Sequence, residues 1–158
     1  SVKRMDQVVV GDVIQSSPSS FSSVFTFTHQ DPDKDHSFMR IGMSDGNVLM
    51  VSHDHLVVSE FGAVAAGDLK PGHRLIDSSG RRTSINSIMS MTARGLYHPH
   101  TLDGQIVVDN FVMMTFTKLI RPSMGHALLL PERLAYYVGF SILGSALADD
   151  KHDARKLL

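Results

Sequence analysis

A hydroxyl and an imidazole stand three residues apart in Ser52-His53-Asp54-His55, at the centre of the stretch Val51–Val58. An imidazole can accept or donate a proton near neutral pH, and a nearby hydroxyl can hydrogen-bond to a reacting group. The flanking residues are apolar and mostly β-branched, which is typical of a buried strand, where polar groups need partners. We therefore interpret Val51–Val58 as the active-site strand. Because side chains alternate along a strand, a kink or strand end is needed to bring Ser52 and His55 to one substrate.

A metal site is an alternative interpretation of the same residues. His53 and His55 would leave a strand on one face, and converging imidazoles are suited to binding zinc or iron. The tripeptide His98-Pro99-His100 supplies a second pair with the same spacing. A polar strand rim that happens to contain histidine is a third interpretation. No motif has the full spacing of a known cofactor site, so no cofactor is predicted.

His29 is a further candidate site residue. It ends the predicted strand Phe25–His29 and enters the polar segment 29–36, which surrounds Pro32 and is predicted to be a loop. On local grounds it is an exposed loop histidine.

The composition bounds the class of protein. At 158 residues, the chain is long enough for one domain with its own core. The formal net charge is −1 and no basic stripe is present, so nucleic acid is not an expected partner. No apolar run reaches membrane-spanning length, and no signal peptide pattern opens the chain. Cysteine is absent, which excludes disulfides and thiolate chemistry within these residues.

Turn signals between β-branched runs predict a chain made mainly of strands. The strongest is Ser44-Asp45-Gly46-Asn47, which predicts a hairpin between strands at 38–43 and 48–58. The order of elements then recurs in three pairs of segments: Gly11 with Gly72, 22–27 with 83–88, and 45–50 with 103–108. Three ordered blocks indicate an internal duplication about a pseudo-two-fold axis. We expect a β domain over 1–120, with halves of about 1–60 and 61–120.

The character of the sequence changes after residue 120. Pro131 followed by an acidic residue predicts a helix start. Leu134, Tyr137, Val138 and Ile142 would form a stripe on this helix that packs against the β body. Residues 121–158 are therefore expected to be a C-terminal helical extension ending in a charged tail.

Two segments resemble a known family. The run Gly95-Leu96-Tyr97-His98-Pro99-His100-Thr101-Leu102-Asp103-Gly104-Gln105-Ile106-Val107-Val108-Asp109 is similar to the Gly-x-Tyr-x-Pro-x-Thr-x-x-Gly-x-Ile-Val-Val-Asp segment of Hedgehog C-terminal autoprocessing domains. Ser52-His53-Asp54-His55-Leu56 resembles their Thr-x-x-His-Leu motif, with Ser in place of Thr. These domains belong to the Hint superfamily, which includes inteins. The resemblance implies an all-β, pseudo-two-fold Hint disc of two duplicated subdomains with a C-terminal helix.

The same resemblance implies a single-turnover, self-cleaving activity. In the family, an opening cysteine attacks the preceding carbonyl and forms a thioester, which a second nucleophile then cleaves: a sterol in Hedgehog proteins, a downstream side chain in inteins. The resemblance implies that His55 polarises the scissile amide and protonates its nitrogen, with Ser52 as a hydrogen-bonding helper. His29 falls at the position of the sterol-activating aspartate, and Thr115 at that of a second cysteine.

The departures from the family pattern shape the expectation for this chain. Because there is no cysteine, we expect the opening strand with its nucleophile to lie upstream or on another chain, and these residues alone to be inactive. Attack by Ser1, an N-to-O shift, is the second possibility. Splicing is not expected, since Asn110 is followed by Phe111 and many further residues.

The expected partners are the chain's own N-terminal precursor segment and water or a small hydroxyl compound such as a sterol. The resemblance implies the secretory pathway or the extracellular space. A metal-binding β-domain and a degenerate, non-catalytic Hint binding module are the alternative functions.

Overall fold

The computed structural model describes residues 2–117 and 129–137. Nine strands make up most of the described chain: β1 (Val13–Ser17), β2 (Ser20–Met43), β3 (Val48–Val51), β4 (His55–Ser59), β5 (Gly62–Ala65), β6 (Arg74–Ile76), β7 (Arg82–Thr101), β8 (Gln105–Val108) and β9 (Phe111–Thr117). Two short 3-10 segments, Met5–Gln7 and Ala66–Asp68, and one helix, α1 (Leu130–Tyr137), complete it. The expected all-β fold with a C-terminal helix is confirmed.

The long strands β2 and β7 form the spine of the sheet. They pair antiparallel from Val24 opposite Thr101 to Met43 opposite Ile85. The sheet runs in the order β1-β2-β7-β6-β4-β9-β8, with β3 added to β2 and β5 added to β4. Because β8 packs back against β1, the sheet is nearly closed. Closure leaves few unpaired strand edges and encloses one main core.

The predicted duplication is visible in repeated hydrogen bonds. Gly11 N donates to Val24 O at 2.8 Å, and Gly72 N donates to Ile85 O at the same distance. Both glycines have positive φ, 95° and 91°, a conformation that is costly for residues with a Cβ. The alignment of Gly72 with Gly11 therefore reflects one turn built twice.

The two hairpin turns also repeat. The Asp45 carboxylate accepts from Asn47 N at 3.0 Å, and the Asp103 carboxylate accepts from Gln105 N at 3.1 Å. An aspartate that bonds the backbone two residues on closes a turn locally. The hairpin predicted at 44–47 is confirmed, with Gly42 opposite Val48 and Met39 opposite Val51.

Each half reaches across to the other. Ser44 N, in the first hairpin turn, donates to Ser84 O at 2.8 Å. Leu102 N, in the second hairpin turn, donates to Ser23 O at 3.1 Å. The hairpin of each half is thus anchored on a strand of the other, and a shared core of aliphatic and aromatic side chains lies between them, including Ile41, Leu49, Val57, Leu75, Ile85 and Phe111.

The polar segment 29–36 is not a loop, and this prediction was wrong. It continues as part of β2, paired with β7. The register shifts between Asp31 and Asp35, so Pro32 lies within an irregularity of the ladder. Proline cannot donate to a ladder and is accommodated at such positions. Long-range pairing with β7 overrides the local turn signal.

Helix α1 begins at Leu130, next to the predicted start at Pro131, but it turns a different face to the sheet. Leu134 and Tyr137 are 58% and 68% exposed, so the described part of the predicted apolar stripe does not pack on the β body. Instead, the Tyr136 ring lies 6.5 Å from the Phe25 ring, and the Arg133 guanidinium lies 5.8 Å from the Phe25 ring centre. Stacking of the cationic Arg133 on an aromatic ring selects this face.

The rest of the predicted stripe, Val138 and Ile142, lies outside the described residues, as does the tail 149–158. In the described part of the chain, no helix has both the length and the apolar character needed to cross a membrane.

The turn between β6 and β7 depends on one buried carboxylate, Asp77. It accepts hydrogen bonds from Ser79 N at 2.8 Å, Arg81 N at 2.9 Å and Arg81 Nε at 3.0 Å. Burial raises the pKa of Asp77, but the hydrogen bonds from Ser79 and Arg81 outweigh it and lower the pKa from 3.8 to about 2. The charged carboxylate is therefore favoured by folding.

We expect Asp77→Ala to lower the free energy of unfolding by roughly 1.5–3 kcal/mol, because it removes the buried, charged acceptor of the hydrogen bonds that close this turn. Urea denaturation at pH 7 measures the loss. Asp33→Ala is the control, since the Asp33 side chain is 82% exposed and its ion pair with Arg94 is a surface contact. If Asp77→Ala and Asp33→Ala lower the free energy of unfolding equally, the buried Asp77 carboxylate is not what stabilises this turn.

Candidate functional site

A tight turn, and not a continuous strand, positions the Ser52–His55 motif. Strand β3 ends at Val51 and β4 begins at His55, and His55 N donates to Ser52 O at 3.2 Å across the turn. The prediction of one strand over Val51–Val58 was therefore wrong. The turn supplies the change of direction that a shared substrate requires of Ser52 and His55.

His55 is fixed by a carbonyl of the neighbouring strand β9. Its Nε2 lies 2.7 Å from Met114 O. Because a carbonyl only accepts, Nε2 carries the proton and Nδ1 is left as the basic nitrogen. Burial lowers the pKa of His55 below 6.5, and the hydrogen bond with Met114 partly opposes this. The resting imidazole at pH 7 is neutral, with Nδ1 ready to accept a proton.

Two further imidazoles lie behind His55. The His98 ring centre is 5.2 Å from that of His55 with the planes tilted by 52°, and His100 stacks on His98 at 4.8 Å and 30°. Both come from β7, where alternation places them on the same face. His100 Nε2 is 2.9 Å from Thr28 Oγ1, so β2 fixes the far end of the stack.

His98 is neutral over a wide range of pH. Burial, together with the neighbouring His55 and His29, lowers the pKa of His98 from 6.5 to about 4, although a hydrogen bond with the backbone of Thr115 acts in the opposite direction. Its Nε2 is buried and has no hydrogen-bond partner among the described residues.

Thr115 lies at the same place, on β9 directly after Met114. Its side chain is fully buried, and its hydroxyl has no hydrogen-bond partner within residues 2–117 and 129–137. A buried hydroxyl without a partner is costly, so Thr115 retains an unused hydrogen-bonding group beside His98.

His29 reaches the site from β2. It is opposite His98 in the β2–β7 register, and its charge would oppose protonation of His98. Its exposed ring also contacts His36 at 6.3 Å, and His36 Nε2 lies 3.2 Å from Asp31 Oδ2. Strands β2, β4, β7 and β9 thus bring His29, His55, His98 and Thr115 together, with Ser52 at the turn.

The metal interpretation does not fit this arrangement. His53 is 70% exposed and lies 3.5 Å from Asp54. Its ring sits against Gly67, so closely that a Cβ there would lie 2.1 Å from His53 Cε1. His53 is therefore not part of the histidine stack, and the described residues give no support to the alternative metal set of His53, His55, His98 and His100. No group of three or more His, Asp or Glu side chains in the described chain is arranged to hold a metal ion.

Sequence reasoning missed two parts of the site. The metal interpretation grouped His98 and His100 with His55, but the ring contacts of His98 with His55 and of His100 with His98 were not predicted. The Met114 carbonyl has no sequence signal, because any residue supplies one.

With this fold and site in place, the class of protein follows. Residues 1–153 match the family model described as the Hint module, so the chain belongs to the Hint family. It is 25% identical over 133 residues to the Indian hedgehog protein of Xenopus laevis, covering 76% of this chain and 32% of that protein. It is 26% identical over 159 residues to the hedgehog protein of Drosophila virilis, covering 85% of this chain and 31% of that one. The chain thus spans about a third of the length of these relatives.

The solved structure of the gp41-1 intein has the same fold. It superposes with a TM-score of 0.64 at 19% identity, covering 71% of this chain and 86% of the intein. The resemblance to Hedgehog and intein Hint domains inferred from the sequence is confirmed.

We expect the folded chain to lose stability as the pH falls from about 6.5 to about 4. The pKa of His98 is about 4 in the folded chain, below its ordinary value of 6.5 in an unfolded chain. The unfolded chain binds more protons between these values, so acidification favours unfolding, and the loss is complete below the folded pKa. The shift corresponds to on the order of 3 kcal/mol, measured by urea titration at several pH values.

His98→Phe keeps a ring of similar size and removes the titrating group, so it should flatten this part of the pH profile. His53→Phe, at an exposed turn position, is the matched control. A profile that is unchanged by His98→Phe would contradict the role of His98.

Proposed function

We propose that this Hint domain cleaves its own precursor by an acyl shift, and that His55 transfers the proton. The observation that carries the proposal is the bond between His55 Nε2 and Met114 O, which fixes a half-buried, neutral imidazole with a free basic nitrogen. The turn at Ser52–Asp54 places this ring at the start of β4, within a fold shared with the gp41-1 intein.

The proton balance of the first step suits such a group. A thiol attacks the carbonyl carbon of the preceding peptide bond, and His55 Nδ1 accepts the thiol proton. The imidazolium then donates this proton to the amide nitrogen as the carbon–nitrogen bond breaks, giving a thioester and a free amine. A lowered pKa makes the transient imidazolium a stronger acid toward the leaving nitrogen.

The attacking thiol must come from outside the 158 residues, because they contain no cysteine. In this proposal, a cysteine on an upstream strand supplies it, and the chain alone is inactive. Attack by Ser1 would give an ester in place of the thioester and is slower, since a serine hydroxyl is a weak nucleophile without a base.

The second step transfers the N-terminal segment to water or to a small hydroxyl compound such as a sterol. The resemblance to hedgehog proteins supports a hydroxyl acceptor. The unpaired Thr115 hydroxyl and the exposed His29 ring offer hydrogen-bonding groups for such an acceptor. Ser52, on the turn, would orient the scissile amide.

The first test uses a precursor in which a reporter is followed by a strand that opens with cysteine, and this strand is joined upstream of Ser1. Incubation with dithiothreitol should release the reporter, because thiols attack thioesters much faster than amides. His55→Ala should slow release by about 10²–10⁴-fold, the usual contribution of general acid–base catalysis. Gel mobility and mass spectrometry follow the product.

His53→Ala is the matched control, because it removes an exposed imidazole two residues away. If the folded precursor stays intact with thiol, autoprocessing is excluded. A non-catalytic Hint binding module is then the remaining function. Equal release by the His55 and His53 variants would exclude His55 as the proton-transfer group.

The second test identifies the acceptor. In water enriched in oxygen-18, hydrolysis places the label in the new carboxylate of the released reporter. With a sterol present, transfer adds the mass of the sterol instead. Without added thiol, we expect the reporter to be released as the labelled carboxylate or as the sterol adduct. If the reporter is released only when thiol is added, the proposed second step is wrong.

A further inference from the structure

We propose that His98 is a positioning residue for His55: its ring holds the His55 imidazole on the Met114 carbonyl and keeps water away from it. The catalytic consequence rests on the proposed function. The effect on His55 itself does not, and it can be measured in the isolated chain.

The first support is that His98 is itself braced from behind. Its ring contacts His55 at 5.2 Å on one side and stacks on His100 at 4.8 Å on the other. His100 is hydrogen-bonded to Thr28 at 2.9 Å and packs against Phe116 at 5.3 Å. A ring supported in this way cannot swing back, so it limits the positions open to His55.

The second support is that one strand orients both rings. Met114 O holds His55 Nε2 at 2.7 Å, and the backbone of the next residue, Thr115, bonds His98. Any movement of His98 away from β9 would open the face of His55 that it covers. The two imidazoles are therefore positioned as a pair, although they come from different halves of the chain.

The third support is the charge around His55. Of the strands that pair with β4, β5 and β9 contain no titratable side chain, and β6 contributes Arg74 at the far end of β4, where Leu75 is opposite Ser59. His98 of β7 contacts His55 directly, whereas His100 stacks on His98 and His29 of β2 is opposite His98. His53 and Asp54 are exposed beside His55, and Asp68 lies on the packed 3-10 segment. A neutral imidazole at position 98 thus covers His55 without adding a charge that would oppose its protonation.

The functional consequence concerns the tautomer. His55 must keep its proton on Nε2 and offer Nδ1 to the attacking thiol. If water reached the ring, it would compete with the Met114 carbonyl for the proton of His55, and both tautomers of His55 would be populated. His98 would therefore act on the rate through His55 without touching the reacting atoms.

The test is an NMR titration of His55 in the isolated chain, comparing wild type, His98→Ala and His98→Phe. In His98→Ala we expect the His55 pKa to rise toward its ordinary value and the Nε2 proton to exchange faster. In His98→Phe, which keeps a covering ring, the pKa should stay low. His73→Ala is the control, because the His73 ring contacts Phe61.

An unchanged His55 pKa in a folded His98→Ala chain would overturn the proposal. So would an equal rise in both variants, since that would show that the ring does not shield His55. Amide spectra identify any variant that fails to fold. If His98→Ala fails to fold, the His55 pKa is still compared between the wild type and His98→Phe, and a raised pKa in His98→Phe overturns the proposal.

In the thiol-dependent precursor, His98→Ala should slow release roughly 10- to 100-fold, as expected when a catalytic group is misplaced. The acidic limb of its pH–rate profile should shift to higher pH, because the His55 pKa rises. If His98→Phe releases the reporter slowly while its His55 pKa equals that of the wild type, His98 has a direct catalytic role. That result would overturn the proposal that His98 only positions His55. Absence of release from every precursor would remove the proposed function but leave the NMR result standing.

Discussion

Antiparallel pairing of β2 with β7 is the interaction on which the rest of the structure depends. The two strands belong to different halves of a duplicated chain, and their ladder runs almost the full length of both. Each half contributes a hairpin that is tied to the other half by a backbone bond, Ser44 to Ser84 and Leu102 to Ser23. Neither half has a complete core alone, because the buried side chains of one pack on those of the other.

The site takes its chemistry from this shared construction. His55 comes from the first half, while Met114 and His98 come from the second. Burial between the halves makes the imidazoles neutral, and backbone carbonyls select which nitrogen carries the proton. The histidines are thus tuned by what surrounds them and not by an ion pair, since no acidic side chain bonds to His55 or His98 among the described residues.

Much of the fold could be predicted from residues whose preferences are local. Gly11 and Gly72 occupy the positive-φ position that favours glycine, and Asp45 and Asp103 close their turns with their own side chains. The segment 29–36 was wrongly predicted as a loop, because its strand exists only through pairing with β7. Long-range pairing of this kind leaves no local signal.

The site was predicted in part for the same reason. Ser52 and His55 were found because their types and spacing are chemical signals in the sequence. The separation of His53 from the histidine stack could not be predicted, because His53 lies in a turn that the β-branched pattern of Val51–Val58 concealed. The support of His55 by His98 depends on a contact between residues distant in sequence, which spacing alone cannot show.

The exchange of hairpins between the halves has a consequence for biosynthesis. A chain leaving the ribosome presents β2 and His55 well before β7, His98 and β9 have been made. Strands that wait for distant partners fold slowly, and pairing of β2 must wait for the second half. The imidazole at position 55 therefore has no carbonyl to hold it until Met114 has emerged, and the order of translation itself delays its maturation.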